Sequence, residues 1–381
     1  MTPHPFYLIE VAVCYITCMD SVQAITQFRH RKATSPTGRL SFIPLANVIA
    51  ALSVLYLHVN GGFWSMGIHH PQWFSANIIE CVFYFAVPVF MMISGATLLD
   101  FFDRYGLGLF FWRRIQKTVI PYLYFSILAI PIAIWRGTLS PDQVTGPYIA
   151  SGLISGSLGP NYWFFPLIFC VYLSIPLFAA IRQDLRKKVF IYLAVAGFVL
   201  NILYPFANTI FGWGMPGSIS VALLNGYLIY IPMGYLVAHY KFKLPFRLII
   251  YIVGLGGLFL HIYMTYTLSM EADQMITTYK GYLNAPCIVY SVAVFLGIRY
   301  LGERVMKVKW FSKVIMFATT TTLTIYMIHQ YILEYIALDL FKWDITNLAY
   351  RLLMPWALFL IICIPVHFLQ KLDGFKYILP K

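Results

Sequence analysis

Residues 46–62 read ANVIAALSVLYLHVNGG, and no charged side chain interrupts the run. Read back to Phe42, the stretch holds about 20 mostly apolar residues, enough at roughly 1.5 Å per residue to cross a hydrocarbon core of about 30 Å. It therefore reads as a membrane crossing with an imidazole, His58, near its end. The same pattern recurs along the chain and predicts about ten spans, at 42–62, 76–98, 118–136, 163–181, 189–206, 218–239, 248–267, 283–301, 312–336 and 350–370. The expected fold class is all-α, a polytopic transmembrane helical bundle.

Composition leads to the same class. The 381 residues are 60% apolar and 11% charged, against roughly 45–50% and 25% in soluble globular proteins. With 31 Phe, 28 Tyr and 9 Trp the chain is also too apolar to stay unfolded in water. The net charge of +13 would suggest nucleic acid in a soluble protein. In a membrane protein Lys and Arg act mainly as topology signals, so no nucleic-acid partner is expected. Cys14, Cys18, Cys81, Cys170, Cys287 and Cys363 are scattered, mostly inside apolar runs. Neither disulfides nor a metal site is expected from them.

The basic residues sort onto one side if the N-terminus is cytoplasmic: Arg29, Arg31, Lys32 and Arg39 before the first span, then clusters at 104–117, 182–188, 241–247, 299–313 and 371–381. Only Arg136, Lys280, Lys342 and Arg351 fall on the other side. The positive-inside rule then puts both termini in the cytoplasm and the chain in the cell membrane as a multi-pass protein. The expected division is a cytoplasmic segment 1–40, a transmembrane domain 41–371 and a cytoplasmic tail 372–381. The apolar stretch from Phe6 to Cys18 contains Glu10 and is too short to span. One expectation is that Met19 is the true start and residues 1–18 a gene-model extension.

Polar groups inside spans are costly, so they mark candidate sites. A neutral imidazole such as His58 can take a proton from an alcohol and return one to a leaving group, its ordinary pKa of about 6.5 lying near the operating pH. From position alone, an interfacial histidine bonded to a carbonyl is an equally good reading. Asn47, eleven residues earlier, returns to within about 20° of the same helical face. Glu80, opening the second span on the same side, is a candidate to orient the imidazole; a solvated carboxylate at a helix start is the alternative. Arg113, Arg114 and Lys117 crowd a cytoplasmic mouth, where they serve as a topology signal or hold the phosphates of a nucleotide-type donor. His329 follows a threonine-rich stretch, which favours close helix packing. His239, His261 and His367 read as satisfied structural groups. Trp64, Trp73, Tyr162 and Trp163 suit either an interfacial belt or sugar stacking.

Taken in order, the span-1 His58, AVPVFMMISGATLL at 86–99, WRRIQKTVIPY at 112–122, NYWFFPLIFCVYLSIP at 161–176 and LTIYMIHQYIL at 323–333 resemble the acyltransferase-3 family of integral membrane O-acyltransferases. The resemblance runs from about Leu40 to Lys371. It implies transfer of an acyl group, by default acetyl from cytoplasmic acetyl-CoA, to a hydroxyl of a cell-surface or lipid-linked saccharide. The partners it implies are acyl-CoA, a saccharide acceptor and the lipid bilayer, with a homo-oligomer or polysaccharide-assembly proteins as further candidates. Residue by residue it implies His58 as the catalytic histidine, Arg114 and Lys117 at the donor, and Trp163 and His329 toward the substrates; the reading of the residues themselves adds Glu80 beside His58, Arg113 at the donor and Asn47 on the stripe of His58. Two departures stand out: Asn47 occupies a position where the family usually has Arg, and Lys117 replaces the second Arg of an Arg-x-x-Arg pair. Direct attack on the thioester and a covalent relay through histidine or Ser94 both fit the sequence. The rival reading of another class is a transporter or flippase of a small solute or lipid-linked saccharide. A non-catalytic membrane partner is a third.

Overall fold

The computed structural model describes residues 40–214, 216–375 and 378–380. Segment 1–39, with Cys14, Cys18, Arg29, Arg31, Lys32, Arg39 and the Met19 start, lies outside the described residues. Among those described, all regular structure is helical. The helices are α1 (Ile43–Val59), α2 (Trp73–Phe83), α3 (Ala86–Leu98), α4 (Leu107–Arg114), α5 (Ile120–Trp135), α6 (Gly146–Ser155), α7 (Phe164–Ala179), α8 (Gln183–Gly197) and α9 (Tyr204–Phe211). They continue as α10 (Tyr230–His239), α11 (Leu244–Glu271), α12 (Ala285–Val305), α13 (Lys309–Thr319), α14 (Thr322–Leu333) and α15 (Leu348–Leu369). π-helical turns join α4 to α5 (Ile115–Val119) and α8 to α9 (Phe198–Leu203), and another follows α14 (Glu334–Leu340).

Among the described residues, six helical stretches are long and apolar enough to cross a bilayer, or seven if the bent pair α13 and α14 forms one crossing. This is fewer than the ten expected, and each shortfall has a local cause. α1 and α7 are apolar but only 17 and 16 residues long. The stretch 218–239 is not one helix: two 3-10 turns, Ala222–Leu224 and Gly226–Ile229, lead into the 10-residue α10. Leu224, Ile229, Tyr230 and Ile231 are fully buried there. Irregular backbone inside a membrane protein is tolerated where protein rather than lipid surrounds it.

α13 and α14 meet at a bend of 61°. The Thr320 and Thr321 hydroxyls donate to the carbonyls of Phe317 and Ala318, both at 2.8 Å. Gln370 donates to the Thr320 carbonyl at 2.8 Å. The threonine run thus supplies hydrogen bonds of its own where the helical ladder breaks. It builds a corner that apolar content alone did not foretell.

The short α1 is the axis of the bundle, packing against α2, α3, α12, α13, α14 and α15. Pro44 suits its first turn, where the missing N–H costs nothing. Ala46, Ala50 and Leu55 are completely buried, whereas long apolar side chains of α11 such as Leu248, Ile252, Leu255 and Phe259 are exposed. The outer helices carry the lipid-compatible surface and the axis carries the packing.

Between apolar helices in lipid there is little hydrophobic drive, so close backbone approach does much of the holding. α3 and α10 cross in this way: a Cβ at Gly95 would run into the Ile231 carbonyl, and one at Gly234 into the Met92 backbone. Gly254 and Gly257 of α11 face Ala293 and Pro286 of α12 similarly, while Gly256 between them faces open space. Gly95→Ala and Gly234→Ala should each destabilise the purified protein, overpacking costing about 1–3 kcal/mol. Gly256→Ala should be neutral or stabilising, since alanine is the better helix former by roughly 1 kcal/mol. Thermal unfolding in detergent measures the contrast, and equal midpoints for all three would show that the crossing is not tight.

Candidate active site

α1 ends at Val59, and its last turn carries His58. That imidazole is half-buried, and the ring beside it belongs to His329 of α14, with centroids 4.9 Å apart and planes at 40°. His329 is completely buried. Its Nδ1 lies 3.0 Å from the Ile325 carbonyl and 2.8 Å from that of Tyr326, so Nδ1 carries the proton and donates it. That tautomer leaves a lone pair on Nε2, which has no hydrogen-bond partner. The His58–His329 pair thus has one end tied to backbone and one nitrogen lone pair unspent.

α14 is held in register by two bonds to the chain leading into α7. Tyr162 donates to the Met327 carbonyl at 2.9 Å, and Tyr326 donates to the Asn161 carbonyl at 2.7 Å. Asn161 adopts a left-handed conformation, φ 65°, which asparagine tolerates better than most residues. The next residue, Trp163, is 39% exposed and stacks on Tyr282 with centroids 6.1 Å apart. His58, His329 and Trp163 therefore belong to one connected assembly, through Phe164 and Tyr326, whose rings are 5.2 Å apart.

Glu80 of α2 sits elsewhere. Its carboxylate accepts from Asn60 Nδ2 at 3.1 Å and Trp64 Nε1 at 3.2 Å, with Lys280 Nζ 3.9 Å away. His58 is not among its partners, so the expected orientation of that ring by Glu80 is not the contact found; the neighbouring group is His329. The Lys280 side chain is buried over the Tyr84 ring at 4.0 Å and near those of Phe63 and Trp64. Asn60 also accepts from Arg351 Nη1 at 3.2 Å. The fully buried Arg351 spends its other nitrogens on Thr346, Gln72 and Ser75. A polar chain Arg351–Asn60–Glu80–Lys280 thus closes the end of the bundle at which α1 finishes.

Sequence reasoning missed this chain although a signal was there. Arg136, Lys280 and Arg351 are three of the four basic residues that broke the charge pattern. Each has an internal use: Arg136 pairs with Asp339 at 3.0 Å and approaches Glu334 at 3.7 Å.

At the opposite end the basic cluster straddles the π turn between α4 and α5. The Arg113 guanidinium lies 4.3 Å from the centre of the Tyr105 ring, and that of Arg114 lies 5.6 Å from that of Tyr172. Neither is ion-paired among the described residues, and Arg114 Nε is buried without a partner. The nearby Asp100 is taken by the buried Arg186 at 2.5 Å. Lys117 is exposed within the π turn. Asn47 lies half-buried on α1, well before His58.

Of the three histidines read as structural, His239 bonds the Ala96 carbonyl at 2.9 Å and His367 meets Thr320 at 3.3 Å. His261 differs: it is completely buried with neither ring nitrogen hydrogen-bonded, its ring 5.4 Å from that of Tyr84. The Ser94 hydroxyl donates to the Phe90 carbonyl at 3.2 Å. No group of three or more His, Cys, Asp or Glu residues suited to a metal gathers among the described residues.

No curated protein and no solved structure matches the chain. A family model does: the acyltransferase domain of the acyltransferase-3 type fits residues 41–369. With nearly all of the helical bundle inside that match, the chain belongs to the acyltransferase-3 family and is a multi-pass membrane acyltransferase.

Proposed function

We propose that the protein is an O-acetyltransferase of the cell membrane, moving acetyl from cytoplasmic acetyl-CoA to a hydroxyl of a cell-surface or lipid-linked saccharide. The observation that carries this reading is the pairing of His58 with His329, whose Nε2 keeps a lone pair without a hydrogen-bond partner. His58 takes the proton of the acceptor hydroxyl as the oxygen attacks the thioester carbonyl. The C–S bond then breaks, and the imidazolium returns its proton to the departing thiolate, giving an ester and free CoA. His329 Nε2, unbonded in this structure, would position His58 by accepting its other N–H as the acceptor binds, the part played by the third group in acid–base triads. Glu80 acts one step removed, holding Asn60, which caps the helix end that bears His58.

Arg113 and Arg114, with no carboxylate partner, and Lys117 are suited to the phosphates of CoA, where charge-assisted bonds are strongest. They sit at the basic end, cytoplasmic by the positive-inside rule. His58 sits toward the other end, so a thioester arm reaching between them would join an inner donor to an outer acceptor. Both termini inside and about ten crossings fit this arrangement if α1, α7, the interrupted 218–239 segment and the α13–α14 corner all traverse the bundle. Trp163, half-exposed near the histidines, offers a face to a sugar ring. Asn47 shares the α1 stripe with His58 and lies toward the donor. The transporter or flippase reading is not favoured, because the family match is to acyl transfer.

The test is release of CoA from acetyl-CoA by the detergent-solubilised protein on addition of a saccharide acceptor, followed with a thiol reagent; no release with any acceptor would remove the reading. His58→Ala should lower kcat by about 10²–10⁴-fold, the range for loss of a general base, with unchanged elution from size exclusion. A fully active, folded variant would refute the assignment. Arg114→Ala should raise KM for acetyl-CoA about tenfold, as expected for roughly 1.5 kcal/mol from a charged hydrogen bond. A change in kcat alone would move Arg114 out of the donor site.

A further inference from the structure

A cavity of about 350 Å³ opens between α9 and the segment that leads into α12. Among the described residues, Lys280 is the only charged one in its lining, and no acidic side chain lines it. The cavity lies on the side of the bundle where α1 ends: Lys280 approaches Glu80, Glu80 accepts from Asn60, and Asn60 lies two residues beyond His58. The same short segment carries Tyr282, on which Trp163 stacks.

Lys280 is underused where it stands. An ammonium has three N–H donors, yet this Nζ is buried without a hydrogen-bond partner, and its ion pair with Glu80 is long, at 3.9 Å. The Tyr84, Phe63 and Trp64 rings around it favour a cation but accept no strong hydrogen bond. Glu80 is itself shared, accepting from Asn60 Nδ2 and Trp64 Nε1.

The charge count is short in the same sense. The chain Arg351–Asn60–Glu80–Lys280 holds two buried cations and one carboxylate. Arg351 spends its nitrogens on the uncharged Thr346, Asn60, Gln72 and Ser75, while the exposed Asp344 carboxylate accepts from Thr346. One negative charge is lacking at this end of the bundle, and a buried cation without one is costly. The rest of the cavity suits an oxyanion. Thr277 and Thr278 line it and add hydroxyl donors close to Lys280 in the chain. Asn284 fixes their segment by donating to the Thr278 carbonyl at 2.8 Å. Phe206, edge-on to Tyr279 at 5.2 Å, supplies an apolar wall for the body that carries the anion.

We propose that this cavity is an oxyanion site in which Lys280, with Thr277 and Thr278, holds a carboxylate or phosphate carried by the acyl acceptor, so that the protein selects an acidic acceptor over its neutral counterpart. The role of the site in the reaction rests on the acyltransferase reading; the binding of the anion does not. The bound anion supplies the charge that the polar chain lacks. The flexible lysine stem lets Nζ turn from Glu80 to the ligand, and Glu80 keeps its bonds to Asn60 and Trp64 beside the end of α1.

The experiment is saturation-transfer NMR on the full-length protein in nanodiscs of zwitterionic lipid, without acyl donor. The probes are a methyl glycosiduronate, a methyl glycoside phosphate and the parent neutral methyl glycoside. At least one anionic probe should bind about tenfold more tightly than the neutral one, as expected for one charge-assisted hydrogen bond. Preference for the glycosiduronate identifies a carboxylate as the ligand group, and preference for the phosphate identifies a phosphoryl group. Lys280→Gln should erase the preference. Because that change strips Glu80 of its counter-ion, Thr277→Glu at an exposed position is the second variant; its carboxylate pairs with Lys280 or repels the ligand, and should erase the preference as well. Equal binding of all three probes overturns the proposal, as does tighter binding of the neutral one or an undiminished preference in either folded variant. Because the readout needs no acetyl-CoA, anion binding without CoA release on any acceptor would remove the acyltransferase reading and leave the site. CoA release as fast with neutral as with acidic acceptors would remove the site's role and leave the acyltransferase reading.

Discussion

A charge or hydrogen-bonding group placed among apolar helices must find its partner inside the protein, because lipid offers none. That constraint organises the structure more than apolar content does. Arg351 reaches from α15 to Asn60, Gln72 and Ser75, so the last long helix is pinned to the end of α1 and the start of α2. Glu80 and Lys280 pin α2 to the segment before α12. At the other end Arg186 pins α8 to Asp100 just after α3, and also bonds the Ala179 and Ile181 carbonyls at the end of α7. The bonds of Arg351, Glu80 and Arg186 to Asn60, Lys280 and Asp100 join segments far apart in the chain, and α1, which contributes no charge of its own, is held in place between them.

This explains which parts of the fold were legible in the sequence. Apolar runs disclose helices, and α1, α3, α5, α7, α11, α12 and α15 lie where hydropathy put them. Hydropathy carries no information about continuity. The 3-10 turns before α10 and the corner between α13 and α14 interrupt runs that are apolar throughout. The threonines at the corner were visible as a polar stretch, but their effect depends on which carbonyls they reach. The close crossing of α3 and α10 at Gly95 and Gly234 was equally silent, since a glycine in an apolar run does not announce which helix it touches.

The same distinction holds for the candidate site. His58 and His329 stand 271 positions apart; on its own His58 read as well as a packing residue as a functional one, and His329 read more readily as packing. Only the fold brings their rings to 4.9 Å. Glu80 was the natural partner for His58 on chain order, both lying on the same side of the first two spans. The geometry gives Glu80 to Asn60, Trp64 and Lys280 instead. Its actual partner Lys280 was visible only as an exception to the charge pattern. Exceptions of this kind are informative because a basic side chain on the wrong side must either face water or be satisfied internally.

The placement of charged and neutral groups bears on the chemistry the bundle can support. Ion pairs such as Arg186–Asp100 and Lys280–Glu80 sit at the two ends, whereas the groups gathered at His58 and His329 are imidazoles that are neutral unless a proton arrives. A carboxylate base at that depth would carry a desolvation cost of several kcal/mol in every resting molecule unless a cation stayed beside it. That cation would in turn compete for the proton acceptor. An imidazole avoids the resting cost and becomes charged only while the acceptor oxygen and the departing thiolate carry opposite charge. His329 suits this cycle because its Nδ1–H is already committed to backbone, so its Nε2 can take a hydrogen bond from His58 without changing tautomer. A pair of histidines is therefore better fitted than the expected His–Glu pair to proton transfer inside an apolar bundle.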